Sequence, residues 1–268
     1  MSDEITDGGV VTEVDDRGVA RLTISRPERM NALDTGANLA IREAMAEWSA
    51  RDDIRVVVID GAGGSFSAGA DVLGFADQST ADGASGFTAG QARQIISAGS
   101  ELVRAVRCVP VPVIASVDGA AAGIGASLAL GADLIYATAR SYFLLAFINI
   151  GLMPDGAASM SFATAVGRVR ANELALLGEK LRAGEALDAG LVNGVYDDRE
   201  ALDEAVEKVA LKIAGKSRAA LRLTKSALDA HTMAGFDAAI ERELDGQTEL
   251  LQSPEFQAAI TAFAGTSK

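Results

Sequence analysis

Two short stretches place small residues where backbone groups could do chemistry: SFSAGAD (residues 65–71) and GAAAGIG (residues 119–125). Each follows an apolar run that reads as a strand and precedes a run that reads as a helix. Small residues let the main chain come close to a ligand. The first turn of a helix carries N–H groups with no intrahelical acceptor and a dipole that favours negative charge. Two such loops on neighbouring strands could aim two N–H donors at one oxygen. They could equally be tight turns where helix packs on sheet. A dinucleotide site fits poorly. Gly123-Ile124-Gly125 begins a G-x-G-x-x-G, but Leu128 stands at the third glycine. No acid ends a strand about 20 residues further on, as that fingerprint needs. The Gly-Lys-Ser/Thr of a phosphate-binding loop is absent. His231, the only histidine, reads as a residue of a polar helix, and Cys108, the only cysteine, reads as packing. No cluster has the spacing of a metal site.

Bulk properties frame these loops. The chain has 268 residues, 49% of them hydrophobic, with a net charge of −13. That charge argues against nucleic acid or an anionic membrane as partner. It leaves room for an anionic small molecule held by a local basic patch. The longest uncharged stretches, 119–132 and 141–154, are too short to span a bilayer, which takes about 20 residues. The acidic start, MSDEITDGG, is unlike a secretion signal, and a single cysteine fits a reducing compartment. A cytoplasmic protein is the expectation.

The elements that would position the loops follow from periodicity. Residues 10–14 and 19–24 flank Asp15-Asp16-Arg17-Gly18 as a hairpin. Residues 35–49 and 91–106 carry helical spacing. Residues 56–59 and 111–117 are apolar runs of strands covered on both faces. Residues 132–137 and 141–143 are further strand candidates. After Asp155 helices dominate: 157–166, 169–177, 184–189, 200–214, a stripe of Phe236, Ile240, Leu244 and Leu251, and a last helix opened by Ser253-Pro254. Residues 77–90, rich in Ser, Thr, Gly, Ala and Asp, read as a mobile loop.

Five segments, in order, resemble the enoyl-CoA hydratase/isomerase, or crotonase, family: ISRPERMNAL (24–33), SFSAGAD, PVIASVDGAAAGIGASLALGADLIYA (112–137), IGLMPDGAAS (150–159) and AGEALDAGLVNGV (183–195). The resemblance implies an α/β fold, a spiral of ββα units over residues 1–195 that binds and transforms acyl-CoA. It implies a helical region, residues 196–268, that closes the site and makes oligomer contacts. Homotrimers or dimers of trimers, and coenzyme A only as part of the substrate, follow from it too. Carried over by position, the N–H groups of Ala68 and Ile124 would form an oxyanion hole for the thioester carbonyl. Arg26 and Arg29 lie in the coenzyme-binding segment, with surface arginines as the alternative. Ala32, Ser67, Ala70, Asp71, Val72, Gly123 and Pro154 fall along the expected substrate path, and Asp71 could instead brace its loop.

The family's hydratases carry two glutamates, whose positions hold Ser127 and Phe147 here. Serine is no base unaided, and phenylalanine carries no proton at all. Asp155 matches a position where several isomerases carry a working aspartate. Its neighbours Phe147, Ile148, Leu152 and Met153 are apolar. If they wall the site, desolvation raises its pKa and suits it to carry a proton. The alternative is a helix cap near Gly156. Double-bond isomerisation through an enolate is therefore expected. Hydration with other acid/base groups and acyl-CoA binding without turnover are the alternatives.

Overall fold

The expected hairpin forms between β2 (Val10–Val14) and β3 (Val19–Ile24). Asp15 closes it by accepting the N–H groups of Arg17 and Val19. Gly18 supplies the left-handed turn residue at φ 79°. The structure, a computed structural model, describes residues 4–6, 8–71 and 86–266. Val72 and most of the segment 77–90 lie outside the described residues.

From β3 the sheet continues in parallel through β4 (Val56–Gly61), β5 (Val113–Val117), β7 (Leu134–Thr138) and β10 (Gly194–Tyr196). On the other side of the hairpin, β1 (Glu4–Thr6) pairs antiparallel with β2. The apolar run of β4 is covered on both faces, as its composition requires. Val57 and Ile59 enter the main core with Ile41, Met45 and Trp48 of α1 (Thr35–Ala50). Val56 and Val58 pack instead with Leu202, Val206 and Ala210 of α7 (Arg199–Ala214).

A second sheet joins β6 (Ala120–Ala122), β8 (Tyr142–Leu144) and β9 (Lys180–Arg182). Successive units send one strand to the large sheet and a short one to the small sheet, which gives the expected spiral of ββα units. After β5 the chain adds β6 and then α3 (Ile124–Leu130), buried along its whole length. After β7 it adds β8, and β9 leads through α6 (Ala183–Asp188) to β10. Strands β6, β9 and β10 are too short, at three residues each, for alternation to show, whereas the equally short β8 carries an aromatic and apolar Tyr-Phe-Leu run. The three alanines of β6 are a strand only because β8 pairs with them.

Asp34 caps α1 by accepting the Ala37 N–H, and Thr88 with Gln91 forms a capping box on α2 (Ala89–Arg107). Helices α4 (Ala158–Val166) and α5 (Arg168–Leu177) belong to the first 195 residues, and the helical region after them comprises α7, α8 (Arg218–Thr232), α9 (Phe236–Leu250) and α10 (Pro254–Thr266). Ser253 caps α10 by accepting the Phe256 N–H at 3.2 Å. Helix α9 packs along α2, with Arg93–Asp245 (2.9 Å) and Arg104–Asp237 ion pairs between them. Among the described residues no helix is long and apolar enough to cross a membrane.

Candidate active site

The segment before α1 is folded onto the first glycine loop by a buried asparagine. Met30 and Asn31 both take left-handed backbone, at φ 51° and 57°. Asparagine tolerates that conformation better than most residues. The Asn31 carboxamide donates to the carbonyls of Ala62 (2.8 Å) and Ser65 (2.6 Å) and accepts the Arg26 N–H (2.8 Å). The two glycine loops are then stitched together. The Ser67 N–H donates to Ala120 O, and the Ala122 N–H donates to Ser67 O, both at 2.9 Å.

This stitching decides which amides are free. The Ala68 N–H donates to Met30 O at 2.9 Å. It is therefore unavailable as the oxyanion donor expected of it. Two residues on, the Ala70 N–H has no acceptor among the described residues, and neither does the Ile124 N–H at the start of α3. Ala70, Ile124 and Gly123 line one cavity of about 540 Å³. Ile124 finds room for its side chain beside two glycines. A β-carbon on Gly156 would lie 3.0 Å from Ile124 Cδ1, and one on Gly99 would lie 3.5 Å from it.

The cavity has a cationic side. Arg26, Arg29 and Arg42 line it. Arg26 is engaged within the protein, paired with Asp34 (2.6 Å) and donating to Ala32 O. Asp71 lies 3.7 Å from Arg26 and 3.8 Å from Arg29, which braces its loop through ion pairs. Arg29 is 47% exposed, and Arg42 makes no ion pair among the described residues. Arg42, which sequence reasoning missed, carries no local motif. Only the packing of α1 turns it toward the cavity.

Elsewhere the lining is apolar, with Ile95, Ile96, Leu102, Phe147, Leu251 and Phe256 among it, and within it stands Asp155. Burial, then the charge of Glu243, pushes the Asp155 carboxyl from 3.8 up to about 8, and a hydrogen bond with Gln247 opposes the shift. Its Oδ1 has no hydrogen-bond partner among the described residues. Glu243 and Gln247 are fully buried on α9, and sequence reasoning missed both. The signal was available: they share the face of Phe236, Ile240 and Leu244, where a polar residue is unusual.

The structure does not bring every expected residue to the cavity. Ser67 is buried and its hydroxyl donates to Asn31 O at 2.8 Å. Ser127 is buried with its hydroxyl donating to Asp155 O at 2.9 Å. Neither hydroxyl faces a ligand, because each anchors a backbone carbonyl. Ala32 and Pro154 also lie off the lining. Arg26, Arg29, Ala68, Ala70, Asp71, Gly123, Ile124, Phe147 and Asp155 do meet there.

Two glycine loops stitched over a largely apolar cavity with arginines on one side, within a spiral of ββα units, define a crotonase-type protein. Residues 15–268 match the family model for enoyl-CoA hydratase/isomerase, and the chain belongs to that family. It is 32% identical over 248 residues to 1,2-epoxyphenylacetyl-CoA isomerase of Escherichia coli (strain K12), covering 92% of both chains. It is 29% identical to trans-2-decenoyl-[acyl-carrier-protein] isomerase of Streptococcus mutans serotype c, again covering 92% of each. The crystal structure of an enoyl-CoA hydratase from Mycobacterium avium subsp. paratuberculosis K-10 is similar at 40% identity and a TM-score of 0.85, over 96% of both chains. Family membership makes the chain an enzyme of acyl-CoA thioesters.

Proposed function

We propose that the protein is an enoyl-CoA double-bond isomerase in which Asp155 carries a proton from one carbon of the acyl chain to another. The observation that carries this reading is a single carboxyl in an apolar wall that no cation among the described residues pairs with and whose Oδ1 has no hydrogen-bond partner there. Asp34 and Asp71 also line the cavity but are held by Arg26. The N–H groups of Ala70 and Ile124 receive the thioester carbonyl oxygen. When Asp155 removes the proton, negative charge moves onto that oxygen. Fixed donors aimed there contribute about 3–4 kcal/mol each in comparable sites. Asp155 then returns the proton at the far end of the enolate.

Hydration needs one group to activate water and another to protonate carbon. Ser127 donates to a backbone carbonyl and Phe147 has no proton to move, which favours isomerisation. The isomerase relative at 32% identity supports the same reading. Hydration is the second reading, favoured by the hydratase relative at 40% identity. The decisive experiment incubates 3-enoyl-CoA with the protein in D₂O. Isomerisation gives 2-enoyl-CoA, with solvent deuterium entering the chain whenever the Asp155 proton exchanges before it is returned, and Asp155→Asn stops the conversion. Formation of 3-hydroxyacyl-CoA by Asp155→Asn would favour hydration, and thioester binding without either product would mark a non-catalytic binder.

The division of labour expected from the sequence belongs to the same proposal. Residues 1–195 bind and transform the thioester, and residues 196–268 close the site through Leu251 and Phe256. Helix α8 buries none of its residues in the single chain, and Leu223 and Leu228 stand exposed, as do Val169, Leu176 and Leu177 of α5. Apolar surface of that kind suits contact with further copies. A homotrimer or dimer of trimers in the cytoplasm is the proposed state, checked by light scattering for three or six times 27.5 kDa.

A further inference from the structure

Helix α9 grips the chain on both sides of Asp155. Glu243 accepts the N–H groups of Ala157 (2.6 Å) and Ser159 (2.9 Å). One turn later Gln247 donates to Met153 O at 2.5 Å. Between them, Gly246 lets Met153 lie against the helix, since a β-carbon there would meet its sulfur at 2.3 Å. The gripped segment needs holding. Gly156 and Ala157 take left-handed backbone in succession, at φ 64° and 60°, and alanine is disfavoured there. Helix α4 has no side-chain cap of its own, so Glu243 fills that role from more than 80 residues away in sequence.

We propose that Glu243 is the positioning residue of Asp155: its carboxylate clamps the loop that carries Asp155 and sets a negative charge against that carboxyl. The proposal rests on the isomerase reading, in which Asp155 moves that proton. Two N–H donors and the N-terminal end of α4 favour the charged form of Glu243. Burial raises its pKa above the usual glutamate value, and those hydrogen bonds and Arg242 oppose the shift only in part. Asp155 has a single such donor, Gln247, against heavier burial, and retains the proton of the pair. Little else faces it. Gln247 of α9 hydrogen-bonds it, Val103 of α2 with Ile124 and the uncharged Ser127 of α3 surround the adjoining Gly156, and Leu102 and Phe256 line the same cavity. Arg26, Arg29 and Arg42 line the same cavity. Of the described residues, Glu243 is the charged group that acts on Asp155.

The test is the pH profile of solvent-deuterium exchange into an acyl-CoA, read as kcat/KM on the full chain. Glu243→Gln keeps a carbonyl for one N–H and removes the charge. Its rising limb should move to lower pH by about one unit. Gln247→Glu adds a charge on the same face and should move the limb upward. A limb unmoved in folded Glu243→Gln overturns the proposal. If that variant fails to fold, a limb unmoved in Gln247→Glu overturns it instead. Asp155→Asn separates the two ideas. Lost exchange with unmoved limbs removes Glu243 and leaves Asp155 in place. Full exchange in Asp155→Asn removes the isomerase reading itself.

Discussion

Gly69 stands against the carbonyl of Ala122. A β-carbon on Gly69 would lie 2.8 Å from that oxygen, and its φ of 101° belongs to glycine. The two glycine loops meet at this point, one residue before the Ala70 amide and two before the Ile124 amide. Gly69→Ala must push the loops apart or distort the backbone. Exchange and product formation should fall about 100-fold or more, since misplaced donors lose most of their effect. Stability should fall by about 1–3 kcal/mol from the strained backbone. Steady-state kinetics beside thermal melting checks both. Wild-type activity in a folded Gly69→Ala would show that the loops do not work as a pair.

Asp155 should weaken the fold as pH rises. Its folded pKa of about 8 lies above the ordinary 3.8. Between those values the unfolded chain loses the proton and the folded chain keeps it, so stability drains away with rising pH and levels off above 8. Asp155→Asn escapes the penalty. Near pH 7 it should be more stable than wild type by on the order of 3 kcal/mol, with the gap closing toward pH 4. Denaturant melts of both proteins across that range measure it. A more stable variant that no longer exchanges deuterium is the signature of a functional, strained acid. A gap that widens toward low pH would contradict it.

The three cavity arginines should separate into two kinds. Arg29 and Arg42 line the cavity and, on the proposed reading, meet the phosphates of the coenzyme, whereas Arg26 holds Asp34 and the Ala32 carbonyl. Alanine at 29 or 42 should raise KM for an acyl-CoA severalfold with kcat held. The effect should vanish with an acyl-pantetheine, which lacks the nucleotide phosphates. Alanine at 26 should lower the melting temperature instead. A KM unchanged in both Arg29→Ala and Arg42→Ala would move the coenzyme elsewhere.

How much of this was visible in the residue order depends on the distance over which each feature is determined. The run at β4 announced burial on both faces, and Ser253-Pro254 marked a helix start, because such signals lie within a turn of the element. Strand β6 did not show, since three alanines have no pattern until β8 pairs with them. The choice between the Ala68 and Ala70 amides also depends on distant backbone. It turns on the Met30 carbonyl, placed by two left-handed residues before α1. Glu243 and Gln247 stood in plain view on an apolar stripe, a hint of buried polar work. Nothing local says that their partners are the residues around Asp155.

Ile124 tests whether the second loop acts through main chain alone. Its amide is the proposed donor, while its side chain fills the space beside Gly99 and Gly156. Ile124→Ala keeps the amide and removes the filling. Stability should drop by about 2–4 kcal/mol, the usual cost of a cavity of that size. Turnover of a linear substrate should fall by much less than in Gly69→Ala, and a branched or bulkier acyl-CoA should gain relative to it. Competition between a linear and a branched thioester, read by mass spectrometry of the products, measures that ratio. If Ile124→Ala loses turnover as fully as Gly69→Ala while still folded, the side chain itself holds the amide in line, and a backbone-only account of this loop fails.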